Sequence, residues 1–438
     1  MNKKSEVRSQ ESGVQSQTSD EAVMAQLKSV APVKVSHDLA PEILARVRTE
    51  TVLTPCSSRR LGGIFPGRIP ATRRLLQGNR SLWRLVIPLA AAVTLLLGGL
   101  WMMRITPADP GQQAIAWLCH TQEPDGSWST AHWGGDKHYE VALTGLSLMT
   151  LLDESSRWTP TSGRRQWLDK LSGRLNRARR SRSTQEIDRS AGSAIAYLIR
   201  CQQKDGQFGE SFSGAPYNHG IATLALAKAY ETRKDEALRL ALDRAVSAIC
   251  SRQYADGGWG YHQEARPASN LSVTLWQLEA LRLASAQGWP QVRPNLERGF
   301  RWMAGVASDD GSFGYQASGD RPGGASQTLT AMGAMSFLDP AHIGLVSPGR
   351  RQAIKARMQH LAASPGSDMD YYRRYFLASA LKKMDEESAR RGLVALRHDL
   401  LSRQDKHGTN TGSWKPDDRW GSAGGRIYAT ALASLSLR

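Results

Sequence analysis

QEPDGSW at Gln122 to Trp128, QQKDGQF at Gln202 to Phe208, RQYADGGWGY at Arg252 to Tyr261 and SDDGSFGY at Ser308 to Tyr315 are four copies of one phrase. Each follows an apolar helical stretch and precedes another. The unit is therefore a helix, an Asp-Gly turn with an aromatic, and a second helix. A supersecondary unit recurring along the chain sets the architecture before any single residue is weighed.

Working outward from these turns, the chain reads as six helical pairs. Ala114 to Gln122 pairs with Glu140 to Leu152, Ser193 to Gln203 with His219 to Tyr230, Ala241 to Gln253 with Asn270 to Ala284, and Leu296 to Val306 with Ser326 to Leu338. Arg351 to Ala363 with Tyr371 to Lys383 lacks the turn phrase, and Gly392 to Gln404 with Arg426 to Leu437 recovers part of it as Gly412 to Trp414. The second helix of each pair is richer in Ala, Gly and Thr, as an inner helix crowded by neighbours should be, and the more charged first helix belongs outside. Closing the series buries the apolar faces of both terminal pairs, so the expected fold is an all-α, closed α/α toroid. In each turn the Gly supplies a positive φ and the Asp side chain caps backbone donors. Asp125, Asp205, Asp256 and Asp310 are accordingly structural, and the aromatic that follows is expected to stack on the neighbouring repeat.

Composition adds attachments to this ring. The formal charge is +17, with basic residues crowded into the N-terminal segment and an insertion at 156–189. No basic stripe interleaved with aromatics appears, so nucleic acid is not an expected partner. Leu85 to Met103 carries no charge and is long enough to cross a hydrocarbon core of about 30 Å. Trp83 and Trp101 flank it, and Arg73, Arg74, Arg80 and Arg84 precede it, which places the N-terminus in the cytoplasm by the positive-inside rule. The expected organisation is a mostly disordered basic cytoplasmic tail over 1–82, one transmembrane helix over 83–104 in an inner membrane, and an extracytoplasmic toroid over 111–438. A helical hint at Ala40 to Val52 offers the tail a way to dock a cytoplasmic partner, while a solvated tail is the simpler reading. The insertion begins and ends with polar, helix-breaking content and is expected to be a solvated surface excursion. Its charge is also suited to anionic headgroups.

Cys119, Cys201 and Cys250 stand at equivalent places before their turns, where free cysteine acts as a small hydrophobe; Cys56 lies in the tail. No cysteine-histidine spacing suits zinc, so no metal and no cofactor are expected.

The phrase Ala-Ile-x-x-Leu with a downstream Gln, Asp-Gly and Trp or Phe resembles the QW-type repeat of the squalene-cyclase and prenyltransferase α/α-toroid superfamily, over roughly Gln112 to Arg438. The resemblance implies a central cavity lined by inner helices, where such relatives hold a polyprenyl or other apolar ligand. Squalene-hopene-type cyclases use a DxDD aspartate as the proton donor, and this chain has none. Ser367 to Asp370, Asp309 with Asp310, and Asp417 with Asp418 come nearest; the second pair belongs to a turn phrase and the third to a polar loop. The zinc ligands of protein prenyltransferases and the thioester motif of complement-type toroids are also missing.

Polar and aromatic residues at the starts of inner helices are expected to converge on one mouth of the ring. Asp370, His219 and Glu140 are the acid-base candidates. Tyr139, Tyr217, Asn218, Asn270, Trp276, Gln277, Tyr371, Arg426 and Tyr428 are the ligand-binding candidates. Ser, Asn and Asp at helix starts also serve as ordinary N-caps. The function expected is a membrane-anchored toroid of the bacterial envelope that binds an isoprenoid, lipid or envelope ligand. An isoprenoid-modifying enzyme is the alternative; a glycan-active α/α barrel, with Glu140 and Asp370 as its carboxylate pair, is the second.

Overall fold

The computed structural model describes residues 109–157, 175–261, 268–316, 326–363 and 369–438. All of these belong to one compact unit, Ala92–Arg438. The tail 1–82, the segment 83–104, residues 158–174 of the insertion and Asp368 lie outside the described residues. Among the described residues, no helix is long and apolar enough to cross a membrane.

Twelve α-helices form six hairpins, and no strand is present among the described residues. In chain order they are α1 (Pro110–Thr121) and α2 (Glu140–Arg157), α3 (Leu175–Arg200) and α4 (Ala215–Thr232), and α5 (Glu236–Ser251) and α6 (Leu271–Ala286). There follow α7 (Arg293–Gly305) and α8 (Gln327–Phe337), α9 (Pro348–Ala363) and α10 (Tyr371–Leu381), and α11 (Glu387–Arg403) and α12 (Gly421–Ser436). The even-numbered helices pack on one another in sequence, and α12 packs on α2, so the inner ring closes.

The two layers differ in composition as their positions require. The outer α5 buries Leu238, Ala241, Leu242, Ala245, Val246, Ala248 and Ile249, a single helical face. The inner α8 is buried at every residue from Thr328 to Phe337, as befits a helix with neighbours on all sides. Helix starts are fixed by side-chain caps. Asp235, Asn270, Ser326 and Asp370 accept from the backbone N–H three residues on, at the heads of α5, α6, α8 and α10.

The turn phrase explains how hairpins join. In each of the four full copies the Asp side chain accepts from the N–H two residues later, at 2.9 to 3.1 Å. The glycine after it lies so close to the next outer helix that a Cβ would overlap a backbone carbonyl group there: Gly126 meets Ser193, Gly206 meets Arg244, Gly257 meets Arg298 and Gly311 meets Ala353. The carboxamides of Gln122, Gln202 and Gln253 bridge the turn and the next outer helix, donating to Ser190, Ala241 and Asn295 carbonyls at 2.8 to 2.9 Å. The sixth hairpin does the same to the first. Gln404 donates to the Pro110 carbonyl at 2.9 Å, and Gly412 abuts Gln113.

The aromatic of the phrase behaves differently from the sequence expectation. Its indole N–H donates into the outer helix of its own hairpin: Trp128 to Leu118, Trp259 to Ile249 and Trp414 to Leu400, at 2.7 to 2.9 Å. Its backbone N–H donates to an inner-helix hydroxyl of the same hairpin, Thr144, Thr274, Thr330 or Thr430. The aromatic therefore staples its own hairpin, and the Gln and Gly make the joint to the neighbour.

The insertion also departs from expectation. Its C-terminal part is helical from Leu175 and continuous with the outer helix of hairpin two. Arg, Gln, Glu and Ala favour helix, and Ile187, Ala191, Ala194, Ile195 and Leu198 supply a buried face at helical spacing. Polar composition was a poor guide because Glu186, Asp188 and Arg189 lie exposed on a helix that buries Ile187 between them.

The closing joint can be tested with two glycines. Gly288 has φ 116° and nothing near its missing Cβ, whereas Gly412 has φ 95° and also meets Gln113. Gly288→Ala is expected to cost about 1–2 kcal/mol from backbone strain. Gly412→Ala is expected to lower the thermal midpoint of the full chain distinctly further; equal losses in circular-dichroism melts would contradict a packed closing joint.

Candidate functional site

The starts of the inner helices share one cavity of about 150 Å³ at a mouth of the ring. Ala142, Leu143 and Leu146 of α2 and Ile221 of α4 supply its aliphatic wall. Five tyrosines, Tyr139, Tyr217, Tyr261, Tyr372 and Tyr428, supply most of the rest, with Trp420 and the small residues Ala423 and Gly424 at the head of α12. No carboxylate is part of the lining among the described residues.

The lumen beyond this cavity is filled by side chains. Trp276 of α6 lies parallel to Tyr375 of α10, meets Phe376 edge-on, and donates its indole N–H to the Tyr372 hydroxyl. Since α6 and α10 belong to hairpins three and five, this cluster spans the ring interior. The cavity is what remains between the cluster and the mouth.

The tyrosine hydroxyls are ordered by neighbours. Tyr217 shares hydrogen bonds with Ser272 at 2.6 Å and Tyr261 at 3.2 Å. Burial pushes the Tyr139, Tyr217, Tyr372 and Tyr428 hydroxyls above the ordinary tyrosine range, so they remain neutral and able to donate. Tyr428 donates to Asp418 Oδ2 at 2.9 Å. Asp418 also accepts from the backbone of Tyr371 at 2.9 Å and of Trp420 at 3.0 Å. Its carboxyl nonetheless titrates above the usual range, because burial disfavours the charge and the charge of Asp370 adds to it.

The acid-base candidates are not gathered here. Asp370 caps α10, accepting from Arg373 N at 2.8 Å and from the Thr328 hydroxyl at 3.0 Å, with Arg419 at 3.5 Å. Glu140 accepts the Tyr197 hydroxyl of the outer α3 at 2.8 Å. Burial raises its carboxyl above the usual range, partly offset by that hydrogen bond. His219 is buried, and its Nδ1 accepts the Phe208 N–H at 3.3 Å. It takes the place that a threonine hydroxyl holds in four other hairpins.

The ligand-binding candidates divide. Tyr139, Tyr217 and Tyr428 line the cavity. Asn218 caps the neighbouring hairpin, accepting from Ala142 N at 3.0 Å and donating to the His138 carbonyl at 2.7 Å. Asn270 caps α6. Trp276 belongs to the lumen cluster, and Gln277 donates to the Pro216 carbonyl at 2.7 Å. Tyr371 turns toward the last hairpin, donating to the Lys415 carbonyl at 2.9 Å. Arg426 is held by Asp405 at 2.5 Å and Ser413 at 2.9 Å, in the turn of hairpin six. Tyr261 and Trp420 escaped the sequence reading, and Asp418 was set aside there as part of a polar loop. Tyr261 ends a turn phrase read as structural, and the other two sit in a loop whose approach to α10 depends on the packing of hairpin six on hairpin five. No cluster of three metal-ligating side chains occurs among the described residues.

Comparison with known proteins agrees with the ring. The family model for the prenyltransferase alpha-alpha toroid domain matches residues 80–260 and 180–363, together more than half of the chain. The enfumafungin synthase of Hormonema carpetanum is 25% identical over 307 residues, covering 67% of this chain and 21% of that protein. The drimenyl diphosphate synthase of Streptomyces showdoensis is 27% identical over 217 residues, covering 48% of this chain and 33% of that one. The chain thus spans a third or less of the length of these two relatives. Among solved structures, cellobiose 2-epimerase from Spirochaeta thermophila superposes with a TM-score of 0.51 at 13% identity, covering 74% of this chain and 92% of that one, a likeness of fold alone. With the six hairpins, the closed inner ring and the QW-type turns, these matches place the chain in the prenyltransferase α/α-toroid domain family.

Proposed function

We propose that the toroid binds an apolar, isoprenoid-type ligand at its tyrosine-lined mouth, on a protein held to an inner membrane by the segment 83–104. The observation that carries this is the lining itself, aliphatic and aromatic surface with neutral hydroxyl donors and no carboxylate among the described residues. Such a wall rewards burial of hydrocarbon and leaves tyrosine hydroxyls to orient one polar end. The volume suits one small ring or a short prenyl unit, since a cavity of about 150 Å³ accommodates a molecule the size of benzene.

Isoprenoid cyclisation is the second reading, supported by Asp418. Its buried carboxyl holds a proton to higher pH than usual and touches Tyr428, whose ring lines the cavity. A proton would have to pass through a phenol to reach a double bond, and a phenol is a weak acid for that task. Binding is for this reason the stronger reading. A glycan-active site finds no support in the lining, because neither Glu140 nor Asp370 belongs to it.

With the full chain in detergent, the single-unit alcohol 3-methylbut-2-en-1-ol is expected to bind saturably, and Ala423→Trp, which fills the mouth, to weaken it by about tenfold or more. Absence of binding, or affinity indifferent to Ala423→Trp, would refute the binding reading. For the second reading, a prenyl diphosphate incubated with the full chain is expected to give a cyclised product that Asp418→Asn abolishes. Product formation that survives this change removes Asp418 as the proton source.

Asp418 also gives a pH dependence. Its folded-state pKa is raised above the unfolded value, so its contribution to stability is present in acid and is lost as pH rises through the folded pKa. The thermal midpoint of the native chain minus that of Asp418→Asn is therefore expected to fall between acid and neutral pH. A flat or rising difference would show that burial does not perturb this carboxyl.

A further inference from the structure

Each tyrosine on the wall of the central cavity has one hydroxyl proton to give, and the hydrogen bonds show where most of these protons go. Asn270 Oδ1 accepts from the Val273 backbone and from the Ser272 hydroxyl, both at 3.0 Å, so the Ser272 proton is already used. Tyr217, 2.6 Å from Ser272, is therefore the donor of that pair. With its own proton committed, Tyr217 accepts from Tyr261 at 3.2 Å. Tyr428 gives its proton to Asp418. Three of the five tyrosines thus have only lone pairs left for a ligand.

Tyr372 is the reverse case. Its oxygen accepts the Trp276 indole N–H, and no acceptor for its own proton occurs among the described residues. It lines the cavity and retains accessible surface. The proton of Tyr139 also lacks a partner among the described residues, but there nothing donates to the phenol oxygen. A hydroxyl that already accepts is polarised into a better donor, because hydrogen bonds in a chain strengthen one another. The indole also fixes where the Tyr372 oxygen stands, since Trp276 is 1% exposed and packed against Tyr375 and Phe376.

We infer that the central cavity selects, through the Tyr372 hydroxyl, a neutral ligand whose polar end is a hydrogen-bond-accepting oxygen of the carbonyl, ether or alcohol class. Resting on the binding of an apolar ligand in this same cavity, the assignment specifies what its polar end is and which hydroxyl holds it. The oxygen lies beside the lumen cluster, and the hydrocarbon lies against Leu143, Leu146 and Ile221. A chain then runs from indole N–H through phenol O–H to the ligand. An anionic head would lose its water to a wall with no charged side chain among the described residues. A pure hydrocarbon would cover the Tyr372 proton and leave it unbonded.

The test uses two probes of equal size, 3-methylbut-2-enal, whose carbonyl only accepts, and the hydrocarbon 2-methylpent-2-ene, each titrated into the full chain in detergent. The ratio of aldehyde to hydrocarbon affinity is expected to fall about tenfold in Tyr372→Phe and to stay unchanged in Tyr139→Phe. In the native chain the carbonyl stretch of the bound aldehyde is expected at lower wavenumber than in cyclohexane, and this measurement carries the test if Tyr372→Phe does not fold. The assignment is overturned if the bound aldehyde shows no such shift, if Tyr372→Phe leaves the ratio unchanged, or if Tyr139→Phe lowers it instead. Hydrocarbon binding that Ala423→Trp weakens would in those cases leave the apolar site itself standing. Absence of binding by both probes overturns the site and the assignment together.

Discussion

A primary carboxamide placed between a turn and the next outer helix fastens four of the six joints in this ring. Gln122, Gln202, Gln253 and Gln404 each donate to two carbonyls, one within their own turn and one in the following hairpin. Both partners are main-chain atoms, so the joint is insensitive to which side chains decorate the outer surface. The adjoining glycine lets the backbones approach, and burial of the inner helices supplies most of the driving force. In a stack of repeats each unit contacts only its neighbours; here Gln404 on Pro110 makes the last unit a neighbour of the first.

Closure determines what the interior can hold. Six inner helices brought round in a ring leave a lumen, and the lumen must be filled by side chains, water or a ligand. Trp276 and the Tyr372, Tyr375 and Phe376 group fill much of it, and the tyrosine-lined pocket is the remainder. The same inner-helix starts therefore serve two ends. Asn218, Asn270 and Asp370 satisfy orphan backbone donors, while tyrosines beside them face the cavity.

The ring was legible because its turn phrase is local and repeated: the Asp-Gly geometry and the hairpins that carry it follow from residues adjacent in sequence, whereas closure was only favoured, as a way to bury the apolar faces of the terminal pairs. Three features were less legible, each because it depends on a contact outside the turn phrase itself. The aromatic's direction is set by carbonyls such as Leu118, one helical stretch upstream. Asp418 matters because the packing of hairpin six on hairpin five carries the last loop to Tyr371. The helix from Leu175 looks like a solvated excursion until its sparse apolar residues find α2. Of the site, Tyr139, Tyr217 and Tyr428 could be named from their position at helix starts, whereas Glu140 and His219, equally placed, turn elsewhere.

The exchange of threonine for histidine in hairpin two carries a consequence of its own. A hydroxyl accepts a hydrogen bond whatever the acidity of its surroundings; an imidazole nitrogen accepts only while it is unprotonated. The tie between Phe208 and the inner helix is thus conditional on proton concentration, and the corresponding ties at Trp128, Trp259, Phe313 and Trp414 are not. Of these five fastenings in an otherwise repetitive molecule, the Phe208 tie is the one whose acceptor can be lost to a proton.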